Sequence, residues 1–439
     1  MQTNTFYDLI QKFLKKKNTF KLCIFVFIIS FISRIYDLFS PYKRTILDAG
    51  STNFWHIAGQ NHLNIKYWTF LFSPVLNTGI NLEPSVYFNH PSLTSFYLSI
   101  FYFLFGSSVI VTKIAALIAW YGISYLIYKL ASHYSVKLGY YALIASFLLP
   151  FINIFSNSID CIGGPLIVLF SLLFYYGLEK KKSNSFIIFS MILAAFSEWS
   201  FIPLLIACLC IPKYKEYRKL LFLTGIIIYL FLVSLYIYHS KSFDLISVIY
   251  SHTRGHISFE VSLFRLLSRI LISYIITYFT PFIFIGYYFV FKKNKNLYLP
   301  LIIQPLAMIL FFPHGAYKHV FWICTLIPFA CLSMAEFFKV LKQKYIYLVI
   351  GILIYSTAYT FYIKHRGQTN IYKDLGQIIN SQTKSDQIIY MYPPENASDK
   401  LSESLLIGYY ASRDIVFLDS LKSNPAVFWS CNKTICKSN

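Results

Sequence analysis

Residues 22 to 50 read LCIFVFIISFISRIYDLFSPYKRTILDAG. The apolar run from Leu22 to Phe39 is close to the ~20 residues that a helix needs to cross a bilayer. Lysines between positions 12 and 17 precede the run, and no small-residue cleavage site follows it. We therefore interpret it as a retained first membrane span rather than a signal peptide. Asp48 lies just beyond this span.

The whole chain has the composition of a helical membrane protein. Of its 439 residues, 56% are hydrophobic and only 13% are charged, whereas a soluble protein carries about 25% charged residues. The net charge of +21 comes from lysine clusters at the ends of apolar runs, which is the pattern of short cytoplasmic loops. The charge therefore indicates membrane topology, with lipids as the surroundings and no nucleic-acid partner.

The lysine clusters orient the predicted spans. They place the N-terminus in the cytoplasm, which makes residues 40 to 91 an outer loop. Ser92 to Phe105 is short for a span, so we predict a helix along the membrane interface. Lysines flank Ser185 to Ile211 on both sides, which predicts a hairpin of two short helices with Glu198 and Trp199 at its apex. The clusters predict about eleven passes in an inner or plasma membrane.

The remaining passes bring the candidate catalytic residues to one side. Leu138 to Phe155 is predicted to run outward and to deliver Asp160 to the outer face. Leu263 to Phe291 is predicted to run inward to a lysine-rich turn at residues 292 to 295, and Leu297 to Phe312 to return outward. A transporter would instead place its charged groups near the bilayer midplane. The sidedness favours an enzyme that acts at the outer face.

The chain is predicted to divide into a transmembrane domain, residues 1 to 363, and an extracytoplasmic tail, residues 364 to 439. The tail alternates helical and strand patterns, at Tyr372 to Ile379 (helix), Gln387 to Met391 (strand), Ser402 to Tyr410 (helix) and Arg413 to Phe417 (strand). This alternation predicts a small α/β domain. Its Cys431 and Cys436 are candidates for a disulfide, which the sequence leaves open.

A second motif follows Asp48 in the same outer loop. Residues 87 to 93 read Tyr-Phe-Asn-His-Pro-Ser-Leu. A carboxylate just past the first span, followed by an aromatic-Asn-His-Pro-x-Leu segment, resembles the GT-C superfamily of integral-membrane glycosyltransferases. Within it, the closest resemblance is to the branch of protein O-mannosyltransferases and lipid A aminoarabinose transferases. The resemblance implies a GT-C fold and transfer of a sugar from a polyprenyl-phosphate carrier to a lipid, glycan or protein acceptor.

The resemblance assigns the general base to the acidic residue of the first outer loop, which here is Asp48. A carboxylate in this role deprotonates the acceptor and contributes about 10²–10⁴-fold to the rate. Asp160 resembles the second acidic position of the superfamily, in the second outer loop. Each residue also has a plainer interpretation. Asp48 is then a solvated loop carboxylate, and Asp160 is a charge that the dipole of the next helix favours.

Two departures from the relatives bear on a metal site. Many relatives carry a pair of acidic residues in the first loop, whereas Ala49 follows Asp48 here. Asn89 stands where aminoarabinose transferase-like relatives have an acidic residue that helps to hold a divalent ion. Asn89 and His90 can still orient a phosphate by hydrogen bonding. A magnesium or manganese ion is therefore an open expectation, with Glu83 as its candidate ligand.

Glu198 and a group of basic residues complete the candidate site. An ionisable residue within an apolar run is costly and usually functional, so Glu198 is expected to bind the acceptor or a metal, or to pair with Lys318. His314, Lys318 and His319 supply positive charge for the leaving phosphate, and Arg254 is a second candidate for that role. The alternative for Lys318 is interfacial anchoring by snorkelling.

These features predict an inverting GT-C-type glycosyltransferase that moves a hexosyl or pentosyl group from a lipid-phosphate donor. Polymerases and ligases of surface polysaccharide are the nearest alternative, and they would make Arg254 and His256 central in place of Asp48. A lipid or ion transporter is a more distant alternative, because neither inverted repeats nor midplane charges are evident. The sequence leaves open the sugar, the acceptor, the carrier length and the oligomeric state.

Overall fold

The computed structural model describes residues 19–39, 51–64, 73–78, 86–87, 90–159, 164–240, 262–272, 279–318, 320–365, 371–384, 387–391, 400–417, 428–432 and 435–438. The helices are α1 (Thr19–Tyr36), α2 (Ser51–His62), α3 (Leu93–Phe105), α4 (Val109–Ser132), α5 (Val136–Leu148), α6 (Pro150–Phe155), α7 (Pro165–Glu179), α8 (Asn184–Ser197), α9 (Phe201–Cys210), α10 (Arg218–Ser240), α11 (Leu263–Ser268), α12 (Phe282–Phe311), α13 (Pro313–Lys318), α14 (Ile327–Val340), α15 (Gln343–His365), α16 (Ile371–Gln382) and α17 (Lys400–Ala411). Two 3₁₀ helices cover Pro212–Tyr217 and Val320–Leu326, and the strands are β1 (Ile389–Met391), β2 (Ile415–Phe417), β3 (Phe428–Asn432) and β4 (Ile435–Ser438).

The helices have the lengths and compositions of membrane spans. Among the described residues, five helical stretches are long and apolar enough to cross a membrane: Thr19–Tyr36, Val109–Ser132, Pro212–Tyr238, Ile323–Val340 and Gln343–Tyr362. Shorter apolar helices, including α5, α7, α8 and α9, lie between them. Large apolar side chains remain exposed along these helices, as lipid-facing surface requires. The protein is a polytopic helical membrane protein, which confirms the predicted class.

The break predicted between residues 185 and 211 is present, whereas the reversal of direction that a hairpin requires stays a prediction. The segment consists of α8, which ends at Ser197, and α9, which begins at Phe201, so that Glu198 and Trp199 lie at the break. Neither helix alone has the length of a full span. The lysines on both flanks predict that both ends lie on the same side of the membrane, and the break gives the segment a place to turn.

Two predicted boundaries are wrong. The pass predicted over Leu138 to Phe155 is broken, because α5 ends at Leu148 and α6 begins at Pro150. Proline lacks the N–H that would continue the helix and is tolerated in the first turn of a new one. The turn predicted at residues 292 to 295 lies inside α12, which is continuous. Lysine is a good helix former, so a lysine cluster by itself does not end a helix. The number of passes therefore stays a prediction.

The core of the bundle surrounds α14. Every residue from Ile327 to Phe338 is buried, and α14 contacts α5 and α12 along its length. Aromatic side chains fill the spaces between the helices, and the indole N–H of Trp120 donates to the carbonyl of Phe155 at 2.9 Å. This hydrogen bond ties α4 to the end of α6, where the chain turns towards residues 157–159.

The short helix α3 has two different faces. Its buried face, which includes Ser95 and Leu98, packs on α2. A Cβ on Gly59 of α2 would lie only 2.8 Å from the Leu98 Cβ. The opposite face exposes large apolar side chains, among them Phe103 (79% exposed) and Phe105 (68% exposed). This division suits the interfacial placement predicted for the helix, which itself stays a prediction.

The tail contains the predicted helices and strands. Strands β2, β1 and β3 are parallel, β4 is antiparallel to β3, and the order across the sheet is β2-β1-β3-β4. Cys431 and Cys436 are directly opposite each other across β3 and β4. The Thr78 hydroxyl donates to the Arg413 carbonyl at 2.7 Å, and the Thr78 N–H donates to Asp414 Oδ1 at 3.1 Å. The tail thus contacts the loop between α2 and α3, which belongs to the predicted first outer loop.

Candidate functional site

His90 and Glu198 meet where the first outer loop contacts the break between α8 and α9. His90 Nδ1 lies 2.8 Å from Glu198 Oε2, and the two side chains are 14% and 5% exposed. The two atoms approach as an ion pair, without the alignment of a hydrogen bond. A buried carboxylate is costly unless a positive group pairs with it, and a neighbouring carboxylate favours the protonated form of an imidazole. The contact therefore orients the His90 ring against a buried carboxylate.

The end of α8 fixes Glu198 in this position. Glu198 leaves the helical conformation (φ −169°, ψ 147°), while its N–H still donates to the Ala194 carbonyl. Its Oε1 accepts a hydrogen bond from the Trp199 N–H at 2.9 Å, and its carbonyl accepts from the Phe201 N–H at 3.2 Å. The break between the two helices thus holds one carboxylate oxygen and directs the other towards His90.

Side chains from α10 and α12 support this break from the other side. Gln304 of α12 donates to the Ser200 carbonyl at 3.0 Å and to Ser171 Oγ at 3.3 Å. The ring of Tyr229 in α10 stacks against the Trp199 indole, with 6.2 Å between centroids. Amide groups and aromatic rings therefore line the helix break around Glu198, in a region that is otherwise apolar.

Aromatic rings connect His90 to α2. The ring of Tyr87 lies 5.6 Å from that of His90 and 4.7 Å from that of Phe54. The Tyr87 N–H donates to the Pro74 carbonyl at 2.8 Å, next to the antiparallel bridge between residues 75 and 86. The first outer loop is therefore folded against α2, and His90 is held at the edge of this folded part.

The segment of residues 157–159 joins the end of α1 to the start of α2. Asn157 Nδ2 donates to the Arg34 carbonyl at 2.9 Å, and the Ile159 N–H donates to Thr52 Oγ1 at 3.2 Å. Thr52 follows Asp48 by four positions, and Ile159 immediately precedes Asp160. The structure thus brings together the chain segments that lead to the two predicted carboxylates, while Asp48 and Asp160 themselves lie outside the described residues.

Several predicted site residues cannot be placed. Like Asp48 and Asp160, the predicted residues Glu83, Asn89, Arg254, His256 and His319 lie outside the described residues. His314 and Lys318 belong to α13, whose backbone is described but whose side chains at these positions are not. The proposed pairing of Glu198 with Lys318 is thus untested, and the described partner of Glu198 is His90.

Three buried charges at the site escaped the sequence-based prediction. Arg34 is 1% exposed, its Nε donates to Asn153 Oδ1 at 3.2 Å, and Lys113, 6% exposed, donates to the Asp37 carbonyl at 2.6 Å. Asp37 is itself 5% exposed. All three lie within or just after apolar runs, so the rule that singled out Glu198 applied to them equally.

Arg269 is a further basic residue beside α13. Its guanidinium carbon lies 4.5 Å from the centre of the Tyr317 ring, and Tyr317 is next to Lys318 in sequence. A cation over an aromatic face is held in place by the ring quadrupole. Arg269 therefore adds positive charge to the segment where the sequence predicted a phosphate site.

His56 of α2 has a structural role. It is fully buried, Nδ1 lies 2.8 Å from Thr112 Oγ1, and Nε2 lies 3.2 Å from Ser107 Oγ. Its ring also contacts that of Tyr409 in the tail, 4.8 Å away. Burial lowers the pKa of His56 from its usual 6.5 to about 3, because loss of solvent disfavours the charged form of the ring. A neutral His56 links α2, α4 and α17.

The described residues do not form a metal site. Within the described ranges, no group of three or more His, Cys, Asp or Glu side chains could hold a metal ion, and the pair of His90 and Glu198 supplies two donors that already engage each other. Glu83, the predicted ligand, lies outside these ranges. A divalent cation thus stays a prediction.

Two crystal structures of ArnT from Cupriavidus metallidurans have a similar fold. The structure in the apo state aligns with a TM-score of 0.61 and 11% sequence identity, over 90% of this chain and 85% of that chain. The structure bound to undecaprenyl phosphate aligns with a TM-score of 0.64 and 12% identity, over 91% and 86%. No protein-family model and no curated protein matches the sequence. The chain has the fold of a GT-C membrane glycosyltransferase, as the first-loop motif implied.

Proposed function

We propose that the protein transfers a sugar from a polyprenyl-phosphate-linked donor to a lipid, glycan or protein acceptor at the outer face of the membrane. The observation that carries this proposal is the fold shared with ArnT, one structure of which is bound to undecaprenyl phosphate. The similarity extends over 91% of this chain and 86% of that chain.

The pair of His90 and Glu198 gives the proposal a chemical centre. A sugar leaves its carrier as negative charge develops on the phosphate oxygen, and a preorganised positive group stabilises that charge. An imidazolium held by a buried carboxylate is such a group. In this proposal Glu198 keeps His90 protonated and oriented, and His90 meets the phosphate. Arg269, Lys318 and the predicted Arg254 add to the positive charge.

Asp48 is the proposed base. It takes a proton from the acceptor hydroxyl or amine, the acceptor atom attacks the anomeric carbon, and the bond from that carbon to the phosphate oxygen breaks. The products are the glycosylated acceptor and the free polyprenyl phosphate, and a single displacement inverts the anomeric configuration. Asp160 is proposed to assist from the segment that is joined to the start of α2 through Ile159 and Thr52.

The finer properties of the enzyme belong to the same proposal. The transferred group is a hexose or a pentose, the N-terminus is cytoplasmic and the tail is extracytoplasmic. A magnesium or manganese ion held partly by Glu83 remains an expectation, which chelation of divalent ions during turnover tests directly.

Reconstituted protein and labelled donors test the proposal. Proteoliposomes receive a panel of undecaprenyl-phosphate hexoses and pentoses together with a membrane extract as the acceptor source. The expected result is loss of label from one lipid pool and its gain in a distinct product. The proposal fails if wild-type protein consumes no polyprenyl-linked donor. If Asp48→Asn is active while Arg254→Met is inactive, the polysaccharide polymerase alternative is preferred.

A further inference from the structure

Arg34 is a buried cation whose hydrogen-bonding capacity is mostly unused. It is 1% exposed and lies in the last turn of α1. Its Nε donates to Asn153 Oδ1 at 3.2 Å, and its guanidinium carbon lies 5.1 Å from the centre of the Tyr121 ring. Among the described residues, however, no acceptor makes a well-aligned hydrogen bond with Nη1 or Nη2, and the Tyr121 hydroxyl is the side-chain group that interacts with the guanidinium from beside it. A buried guanidinium of this kind requires an anionic acceptor.

Two buried amides in the segments that meet at the end of α1 have unpaired groups as well. Asn157 donates to the Arg34 carbonyl through Nδ2, but its Oδ1 receives no hydrogen bond within the described part of the chain. Asn53 is 1% exposed, and neither Oδ1 nor Nδ2 has a partner there. Asn53 directly follows Thr52, which accepts the Ile159 N–H. Unpaired donors and acceptors therefore collect where residues 157–159 lie between α1 and α2.

The buried carboxylate of Glu179 shows how a charge with a purely structural role is compensated in this protein. Glu179, at the lysine-rich end of α7, is buried like Arg34. Lys213 Nζ contacts both of its carboxylate oxygens at 2.6 Å, and the Tyr214 hydroxyl donates to Oε1. Its charge is balanced inside the chain. The charge of Arg34 has no such balance among the described residues, which is the condition expected of a site that awaits a ligand.

We propose that Arg34, Asn53 and Asn157 form a subsite for the glycosyl-phosphate part of the lipid-linked donor. The N–H groups of Arg34 match the oxygens of a phosphate, for which a guanidinium fork is well suited. The unpaired amide groups match sugar hydroxyls, which both donate and accept. The inference rests on the proposed function and adds the residues that hold the donor. Because the cluster is closed, its occupation requires the surrounding segments to move.

Thermal stabilisation by the lipid measures this binding. Purified full-length protein is titrated with undecaprenyl phosphate, undecaprenol and inorganic phosphate. Wild-type protein is expected to be stabilised by undecaprenyl phosphate and not by undecaprenol, since ligand binding raises the melting temperature in proportion to ln(1 + [L]/Kd). Arg34→Met should lower the affinity for undecaprenyl phosphate roughly 10- to 100-fold, as expected when hydrogen bonds to a charged group are lost. Arg34→Lys, which keeps the charge but not the fork, should be intermediate.

The melting temperature without ligand separates a binding role from a structural role. Arg34→Met removes an unpaired buried charge, so the unliganded melting temperature should stay the same or rise. Lys213→Met is the matched control, because it removes a cation that is paired with Glu179 inside the chain and should bind the lipid as wild type does. A lower unliganded melting temperature of Arg34→Met with unchanged affinity would overturn the subsite. An equal response to inorganic phosphate would assign the cluster to free phosphate and overturn it too.

The sugar part of the proposal has its own test. For the glycosylated carrier that wild-type protein binds best, Asn53→Ala should lose about tenfold in affinity, the effect of a lost hydrogen bond in a buried site. Bare undecaprenyl phosphate should bind equally well to both proteins, and an equal loss for both lipids would contradict the assignment of Asn53 to the sugar. If wild-type protein responds to no polyprenyl phosphate at all, the proposed function fails. If wild-type and Arg34→Met proteins respond equally, only the subsite fails.

Discussion

Replacing Glu198 by Gln tests whether the ion pair with His90 serves the reaction. The amide keeps the shape of the side chain and the acceptor for the Trp199 N–H, and it removes only the negative charge. Two unit charges 2.8 Å apart attract by roughly 6 kcal/mol at an effective dielectric constant of about 20. The cost of removing both groups from water offsets most of this attraction.

The substitution should affect catalysis more than folding. When the charge of Glu198 is removed, His90 can release its proton, so no unpaired charge stays buried. We therefore expect the free energy of unfolding to fall by only ~1–2 kcal/mol. A neutral imidazole no longer opposes the negative charge of the leaving phosphate, so kcat should fall about 10²-fold, or ~2.7 kcal/mol. Activity of the variant should recover partly at lower pH, where the imidazole is protonated again.

The assay is donor turnover by reconstituted protein, with the melting temperature recorded for each variant. Glu179→Gln is the matched control, because Glu179 is a buried carboxylate (side chain 3% exposed) paired with Lys213 at 2.6 Å. This control should lose stability and keep its kcat. His90→Gln should resemble Glu198→Gln, and the double variant should be little worse than either single one. Full activity of Glu198→Gln, or strictly additive losses in the double variant, would refute the reasoning.

Other substitutions test the remaining assignments. Asp48→Asn should abolish sugar transfer without affecting membrane insertion, and Asp160→Asn should impair it less; an active, purified Asp48→Asn protein would contradict the first assignment. Lys318→Met should lower kcat by about 10²–10³-fold at saturating donor if the lysine stabilises the phosphate, and unchanged turnover would exclude it. Cysteines introduced at Ser51 and Ser385 should react with an impermeant thiol reagent, whereas one at Ser183 should not; outside labelling at Ser183 would break the predicted topology. The low pKa of His56, about 3, means that the unfolded chain takes up a proton below pH 6.5 that the folded protein refuses. The melting temperature should therefore fall as the pH is lowered from about 6.5 towards 3, and His56→Gln should flatten this dependence; equal slopes for both proteins would contradict the assignment.

The elements of the fold that could be predicted are those that leave a local pattern in the sequence. The break between α8 and α9 was predicted from an apolar run with lysines at both ends, because a segment anchored twice on one side is expected to turn within the membrane. The same rule failed at residues 292 to 295, since lysines also fit inside a helix such as α12. Pro150 marks a helix break in the sequence. It was not predicted as one because the apolar run continues on both sides of it at the length of a single span.

The candidate site was predictable residue by residue but not as an arrangement. His90 and Glu198 were each singled out, one by a motif and the other by its charge in an apolar run. Their contact was not predicted, because no local pattern relates a loop residue to a helix break so far along the chain. Arg34 carries the same signal as Glu198. It was overlooked because it lies near the end of its span, where a basic residue usually reaches the interface by snorkelling.

The buried charges differ in how far their hydrogen-bonding groups are satisfied within the described part of the chain. Glu179 has its charge compensated by Lys213 and hydrogen-bonded by Tyr214, and such a closed arrangement needs nothing from outside the chain. His90 and Glu198 pair with each other at 2.8 Å without an aligned hydrogen bond, and in the proposed function this pair faces the leaving phosphate. The terminal nitrogens of Arg34 make no well-aligned hydrogen bond among the described residues. A reaction that releases a phosphate requires preorganised positive groups beside the phosphate oxygen, since they stabilise the negative charge that develops in the transition state.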